Sequence, residues 1–316
     1  MAISTFSFPT LIYFGAGARL QLPDFLAENK AFRPLVVTDR GIAPLPMFQD
    51  FLKILSHGKL AVSIFSEVFG NPTQSQVVAG VKIFKTHNAD SIIGIGGGAA
   101  LDVAKAIALM ANHPGDLFDY EDGKPDARPI DQPIPFLVAL PTTSGTGSEV
   151  GRSAVISDDT THIKKIIFSP RLLAKAVFAD PELTLDLPGK ITAATGMDAL
   201  THCIEAFLAK NYHPLCDGIA LEGLRLGAAN LEKCVKTPRD IEARGAMMMT
   251  SMMGAIAFQK GLGINHSCAH ALSAICDLHH GLANAVMMPY ALPFNISAVP
   301  ERFARMATTL ELPQKD

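Results

Sequence analysis

Up to about residue 180 the chain alternates short apolar runs with amphipathic segments. Residues 35–38, 61–65, 91–95 and 136–140 are rich in Val and Ile and bounded by Pro, Gly or Asp, the pattern of strands buried on both faces. Thr73 and Gln76 stand at capping-box spacing and open a predicted helix whose Val77, Val81 and Phe84 share one face, ended by residues 87–90. Such alternation predicts a parallel sheet covered by helices. After Asp180-Pro181 the texture changes, and predicted helices over 193–210, 214–235, 241–258 and 263–278 follow one another with no strand between them. The expected organisation is an α/β domain over 1–183 and an all-helical domain over 184–316, divided where Pro181, Pro188 and the N-cap candidate Thr184 cluster. There is no internal repeat or low-complexity tract, and the final residues 312–316 have the composition of a turn more than of a domain's close.

Composition narrows the partners. Of 316 residues, 48% are hydrophobic and 18% charged, with a formal charge of -3 and no long run of either sign. A nucleic-acid binder and an electrostatic membrane binder are therefore not expected. The first 30 residues lack a signal peptide's basic start and apolar run. The longest nearly apolar stretch, 246–258, falls short of the roughly 20 residues that span a bilayer. Its Met247, Met248, Met249, Met252 and Met253 suit a buried helix packed with pliable thioethers. The five cysteines all lie past residue 200 without a C-x-x-C, which suits reduced thiols in a cytoplasmic protein.

Two loops suit a nucleotide. Ser91-Ile-Ile-Gly-Ile-Gly-Gly-Gly-Ala99 is a strand running into glycines and then a helix, with Asp102 and Lys105 in the first turns. Glycines there let backbone N–H groups approach a pyrophosphate at the positive end of a helix, although a tight turn without a ligand has the same signature. Asp39 ends an earlier strand. It suits either an adenosine ribose, where its charge would repel a 2′-phosphate and favour NAD over NADP, or a turn cap. The second loop, 141–149, packs five hydroxyls and two glycines behind a strand.

Of the ten histidines, His266, His270, His279 and His280 fall within fifteen residues. His266 and His270 are i, i+4 on one helix face, as are Asp198 and His202 on the preceding helix, and His280 starts the next element. One carboxylate and several imidazoles suit a divalent first-row metal. His279 points elsewhere, and Cys203 and Cys268 are expected as packing residues.

With these residues in place, the sequence resembles the iron-containing (group III) alcohol dehydrogenases. The resemblance is carried by Phe14-Gly15-Ala16-Gly17, Val37-Thr38-Asp39, Gly70-Asn71-Pro72, Gly96-Gly97-Gly98 with Asp102 and Lys105, residues 141–149, Asp180-Pro181-Glu182-Leu183-Thr184, Gly196-Met-Asp-Ala-Leu-Thr-His202, and Gly263-Ile-Asn-His-Ser-Cys-Ala-His270 followed by His280-Gly281. It implies a Rossmann-like sheet domain followed by a helical metal-binding domain, a dehydroquinate synthase-like architecture with the active site in the cleft between them. It implies metal ligands Asp198, His202, His266 and His280, and His270 beside the nicotinamide. For the cofactor it implies Asp39, Asn71, Gly97, Gly98, Ala99, Asp102, Thr142, Thr143, Thr146, Ser148 and Lys164. Two departures stand out: Ala99 and Ala100 replace the family's serine after the glycines, and the chain stops before the helices that complete the second domain in relatives. The implied activity is reversible, NAD-linked oxidation of a small alcohol to an aldehyde or ketone by a homo-oligomer, with Fe2+ or, alternatively, Zn2+ as the Lewis acid and His270 as proton carrier. A zinc-dependent polyol dehydrogenase and a catalytically silent NAD-binding scaffold are the alternatives.

Overall fold

The structure is a computed structural model that describes residues 8, 10–276 and 278–312. Strands and helices alternate through the first part: β1 (Leu11–Phe14), α1 (Leu22–Glu28), β2 (Pro34–Asp39), α2 (Pro46–His57), β3 (Ser63–Val68), α3 (Gln74–Thr86), β4 (Ser91–Gly96), α4 (Gly98–Asn112), β5 (Phe136–Pro141), the hairpin β6 (Ser153–Ser157) and β7 (Lys164–Phe168), and β8 (Ala176–Ala179). Six of these strands form one parallel sheet in the order β1-β8-β5-β4-β2-β3, and β6–β7 pair antiparallel apart from it. All six residues of β4 are buried, which is why its run is continuously apolar instead of alternating.

The parallel sheet follows the expectation, with differences that have local causes. β3 begins at Ser63, not residue 61, because Ala61 N–H is bonded to Phe32 O in the connection before pairing starts. The capping box at Thr73 and Gln76 does not form: Thr73 Oγ1 meets Ser75 Oγ, and Gln76 Nε2 donates to Phe69 O. Asp159, in the β6–β7 hairpin loop, takes the Ser75 N–H (2.8 Å) and hydroxyl (2.7 Å) instead.

The rest of the chain is α5 (Gly189–Leu208), α6 (Pro214–Lys236), α7 (Ile241–Ala257), α8 (Ile264–Cys276), α9 (His280–Ile296) and α10 (Pro300–Thr309). Thr184 is not the cap of α5; it closes a short 3-10 turn, and α5 starts behind Pro188. Met247, Met248 and Met252 are buried, as a packed helix requires. The chain divides into two compact units, one of Thr10–Thr142 with Ser148–Leu183, the other including Thr143–Gly147 and the residues from Thr184 onward. Among the described residues no helix is long and apolar enough to cross a membrane.

Candidate metal centre and nucleotide-binding crevice

On α5, Asp198, His202 and Glu205 stand at i, i+4 and i+7, so one helix face carries all three. His266 lies in the first turn of α8, and His280 opens α9. α9 comes close to α5 because residue 281 is glycine: a Cβ there would sit 2.1 Å from Ala194 O. These elements bring three imidazole Nε2 atoms to one carboxylate oxygen, Asp198 Oδ1, at 3.9 Å (His202), 3.5 Å (His266) and 3.4 Å (His280). Donors on a tetrahedron with bonds of about 2.1 Å are about 3.4 Å apart, so the spacing and the donor set fit a divalent first-row ion. Asp198, His202 and His266 are buried, and their ligand atoms lie within 4.8 Å of one another.

The electrostatics favour the ligating forms of Asp198, His202 and His280. Burial alone would raise the Asp198 pKa, but the surrounding His202, His266 and His280 hold it well below the carboxylate range. Burial lowers His202 to about 4, and His280 to about 4 against the pull of Asp198, so both offer a lone pair at neutral pH. His266 is different: against the burial, hydrogen bonds to Asp198 and Glu205 raise it to about 9. Glu205 Oε2 meets His266 Nδ1 at 2.6 Å and accepts the His266 N–H, while Oε1 accepts the Asn265 N–H at 2.7 Å. This carboxylate thus caps α8 and fixes a proton on Nδ1, so Nε2 is the nitrogen whose proton an ion would displace.

Three participants were not foreseen: Glu205, Asn265 and Asn284. Asn284 is fully buried and donates from Nδ2 to Asp198 Oδ1 at 2.7 Å. Glu205 extends the Asp198–His202 spacing by one turn, and Asn284 stands four residues after His280, so helical periodicity was the available signal. His270 is exposed, its ring centroid 4.9 Å from that of His280 and 6.3 Å from that of His266. His279 is exposed, Cys203 is buried with Sγ 3.8 Å from Thr250 O, and all five cysteines are free.

In the sheet unit, the connection leaving β2 runs outward to β3 while that leaving β4 runs the opposite way to β5. Loops diverge at this switch point, where open α/β sheets receive ligands beyond the strands' carboxyl ends. Asp39 ends β2 there, with Oδ1 accepting from Gly41 and Ile42 N–H at 2.9 Å each. Its Oδ2 lies beside Gly96, 3.3 Å from where a Cβ would stand, and burial raises its pKa. The turn-cap reading of Asp39 is thus seen directly, and the same side chain borders the glycine loop. Gly96 has φ +155°, and a Cβ would meet Ala100 Cβ at 2.6 Å, so the approach of α4 to the strand end requires glycine. Gly97, Gly98 and half-buried Ala99 open the 15-residue α4, and Thr142 donates its N–H to Gly96 O. Asn71 is exposed just beyond β3, and Lys164 begins β7.

Two of the remaining cofactor candidates take part in a network inside the unit. Asp102 accepts from Ser148 Oγ (2.6 Å) and Val155 N–H (3.0 Å), and buried Lys105 donates to Ser148 Oγ (2.7 Å) and Ser153 O (2.8 Å). Thr143 and Thr146 belong to the segment Thr143–Gly147, whose Gly145 packs on Thr195 of α5 and Gly147 on Ser251 of α7.

Comparison with known proteins agrees with this geometry. Residues 9–181 match the model of the iron-containing alcohol dehydrogenases, and residues 192–316 match that of the C-terminal part of the same family. The chain is 44% identical over 294 residues to 4-hydroxybutyrate dehydrogenase of Cupriavidus necator, covering 89% of this chain and 75% of that protein. It is 36% identical over 309 residues to NAD-dependent methanol dehydrogenase of Bacillus methanolicus, covering 98% and 80%. A crystal structure of 1,3-propanediol oxidoreductase superposes with a TM-score of 0.92 at 35% identity, covering 97% of this chain and 80% of that one. Sulfoacetaldehyde reductase of Bifidobacterium kashiwanohense in complex with NAD+ superposes at 0.88 and 27% identity, covering 99% and 87%. Sheet, glycine loop and histidine cage together with these matches make the chain an alcohol oxidoreductase belonging to the iron-containing alcohol dehydrogenase family.

Proposed function

We propose that the chain catalyses reversible, NAD-linked oxidation of a small alcohol at a divalent ion held by Asp198, His202, His266 and His280. The observation that carries this reading is the meeting of three imidazole Nε2 atoms at one buried carboxylate oxygen. When bound, the ion supplies a Lewis acid for the alcohol oxygen, and NAD accepts the hydride. Around them, Asp198 supplies negative charge, His202 and His280 supply neutral nitrogens, and Glu205 holds the His266 tautomer. His270, exposed and beside His280, passes the hydroxyl proton to solvent. Fe2+ is the ion proposed, with Zn2+ acceptable to the same donors.

For the cofactor, Asp39, Asn71, Gly97, Gly98, Ala99 and Thr142 stand at or just past the carboxyl ends of their strands, with Asp102, Thr143, Thr146, Ser148 and Lys164 completing the proposed set. The relatives named for NAD support NAD as its identity. The division near Thr184 supports a sheet part that binds nucleotide and a helical part that binds metal. A cytoplasmic homo-oligomer is the proposed form, the compartment supported by the free cysteines; light scattering checks the assembly and cell fractionation the compartment.

The deciding experiment is an anaerobic assay of NAD reduction against primary alcohols, diols and hydroxy acids, the last included because of the 4-hydroxybutyrate relative. Protein loaded with Fe2+, loaded with Zn2+ or freed of metal is compared with His266→Ala and His280→Ala. Metal-dependent turnover that either substitution abolishes is expected; turnover indifferent to both rejects the reading.

A further inference from the structure

We infer that Asn284 is a positioning residue of the metal centre, its carboxamide gathering Asp198, His266 and His280 into a convergent cage. The inference rests on the metal reading above. Asn284 Nδ2 lies 2.7 Å from Asp198 Oδ1 and 3.3 Å from Nε2 of both His266 and His280. Only the N–H end of an amide can stand that close to a carboxylate oxygen, so the side-chain orientation is dictated by its partner. The opposite end is held as firmly: Asn284 Oδ1 accepts from Asn265 Nδ2 at 2.9 Å, and the same Nδ2 lies 3.2 Å from the Asn284 carbonyl. Asn265 is in turn anchored by its N–H on Glu205 Oε1. Both asparagines are 1% exposed or less.

The chemistry explains the need for this residue. The carboxylate oxygen of Asp198 and the neutral imidazole nitrogen of His280 face one another at 3.4 Å and repel without a donor between them. The amide supplies that donor without adding charge, so the cage is assembled from four separated positions on three helices before an ion enters. Without it the lone pairs turn apart, and the ion has to gather them itself. Residues that orient metal ligands in this way typically change affinity by about 10–100-fold when removed.

The test is titration of the metal-free full chain with Co2+ in competition with a chelator, with the visible spectrum reporting coordination. Asn284→Ala is expected to bind Co2+ about 10–100-fold more weakly, with an altered spectrum. Asn265→Ala, which leaves the amide in place but unanchored, gives a smaller loss of the same sign. Asn284→Asp sets a second carboxylate against Asp198, so the metal-free melting temperature falls and the rise on adding Co2+ grows. Parental affinity and spectrum in Asn284→Ala overturn the inference even if the melting temperature drops, because that pattern is a packing effect alone. Should Asn284→Ala not fold, Asn265→Ala is judged by the same criterion. A parent chain that binds no Co2+ overturns the metal reading itself, whereas a parent that binds normally beside an unchanged variant overturns only the role of Asn284.

Discussion

Glu149→Gln tests the electrostatics of the sheet unit. Glu149 is 2% exposed, and its Oε1 has no hydrogen-bond partner. Burial raises its pKa from 4.5 to about 7, with Lys105 pulling the other way. Folded chains therefore hold a proton between about pH 4.5 and 7 that unfolded chains have released, and stability falls as pH rises through that window. The full span of the shift corresponds to about 3 kcal/mol. Glutamine has the shape of the neutral acid and cannot ionise. At pH 4 parent and variant should melt together, and by pH 8 the variant should be the more stable by up to about 3 kcal/mol, or several degrees. Thermal melts of metal- and NAD-free protein at pH 4, 5, 6, 7 and 8 read this directly, and taking the difference cancels the titrating groups that do not interact with Glu149. Parallel curves across the range would show that Glu149 ionises normally and that its buried oxygen is hydrated.

Two further substitutions probe the helical unit. Glu205→Gln removes the anion that fixes His266 Nδ1 and caps α8, and should weaken metal binding by about 10–100-fold in chelator competition; unchanged affinity would assign Glu205 to the cap alone. Gly281→Ala forces a methyl onto the backbone oxygen of Ala194, so α9 must withdraw and take His280 with it. A loss of about 1–3 kcal/mol is expected together with less than one bound ion per chain. Gly218→Ala, which meets nothing within 4 Å in α6, is the control that should keep both.

What the sequence revealed depended on how local each signal was. β4 and its glycines were legible because a strand buried on both faces leaves one unbroken apolar run and the turn needs its glycines within a few positions. Asp198 with His202 was legible because one helix sets their spacing. His280 needed the family resemblance, since it reaches the same carboxylate from another helix and no periodicity links it to His266. Glu205 and Asn284 went unread because a glutamate or asparagine on a helix is ordinarily solvated, and only the tertiary fold reveals these two as buried. The capping box at Thr73 failed for the same reason: a carboxylate 84 positions from Ser75 offered the better acceptor. β1 and β8, four residues each, were too short to stand out from their surroundings.

The pairing of β1 also bears on the order of events at the ribosome. Among the described residues its only partner in the sheet is β8, and Thr10, just ahead of the strand, bonds Lys175, 165 residues on. At about 5–20 residues per second, roughly 10 to 30 s of synthesis separates the two. Through that interval a strand bearing Leu11 and Phe14, both still half exposed after folding, waits with an open backbone edge. Such an edge is a template for other nascent chains, so yield during rapid expression should depend more on temperature and chaperone supply than on the stability of the finished sheet.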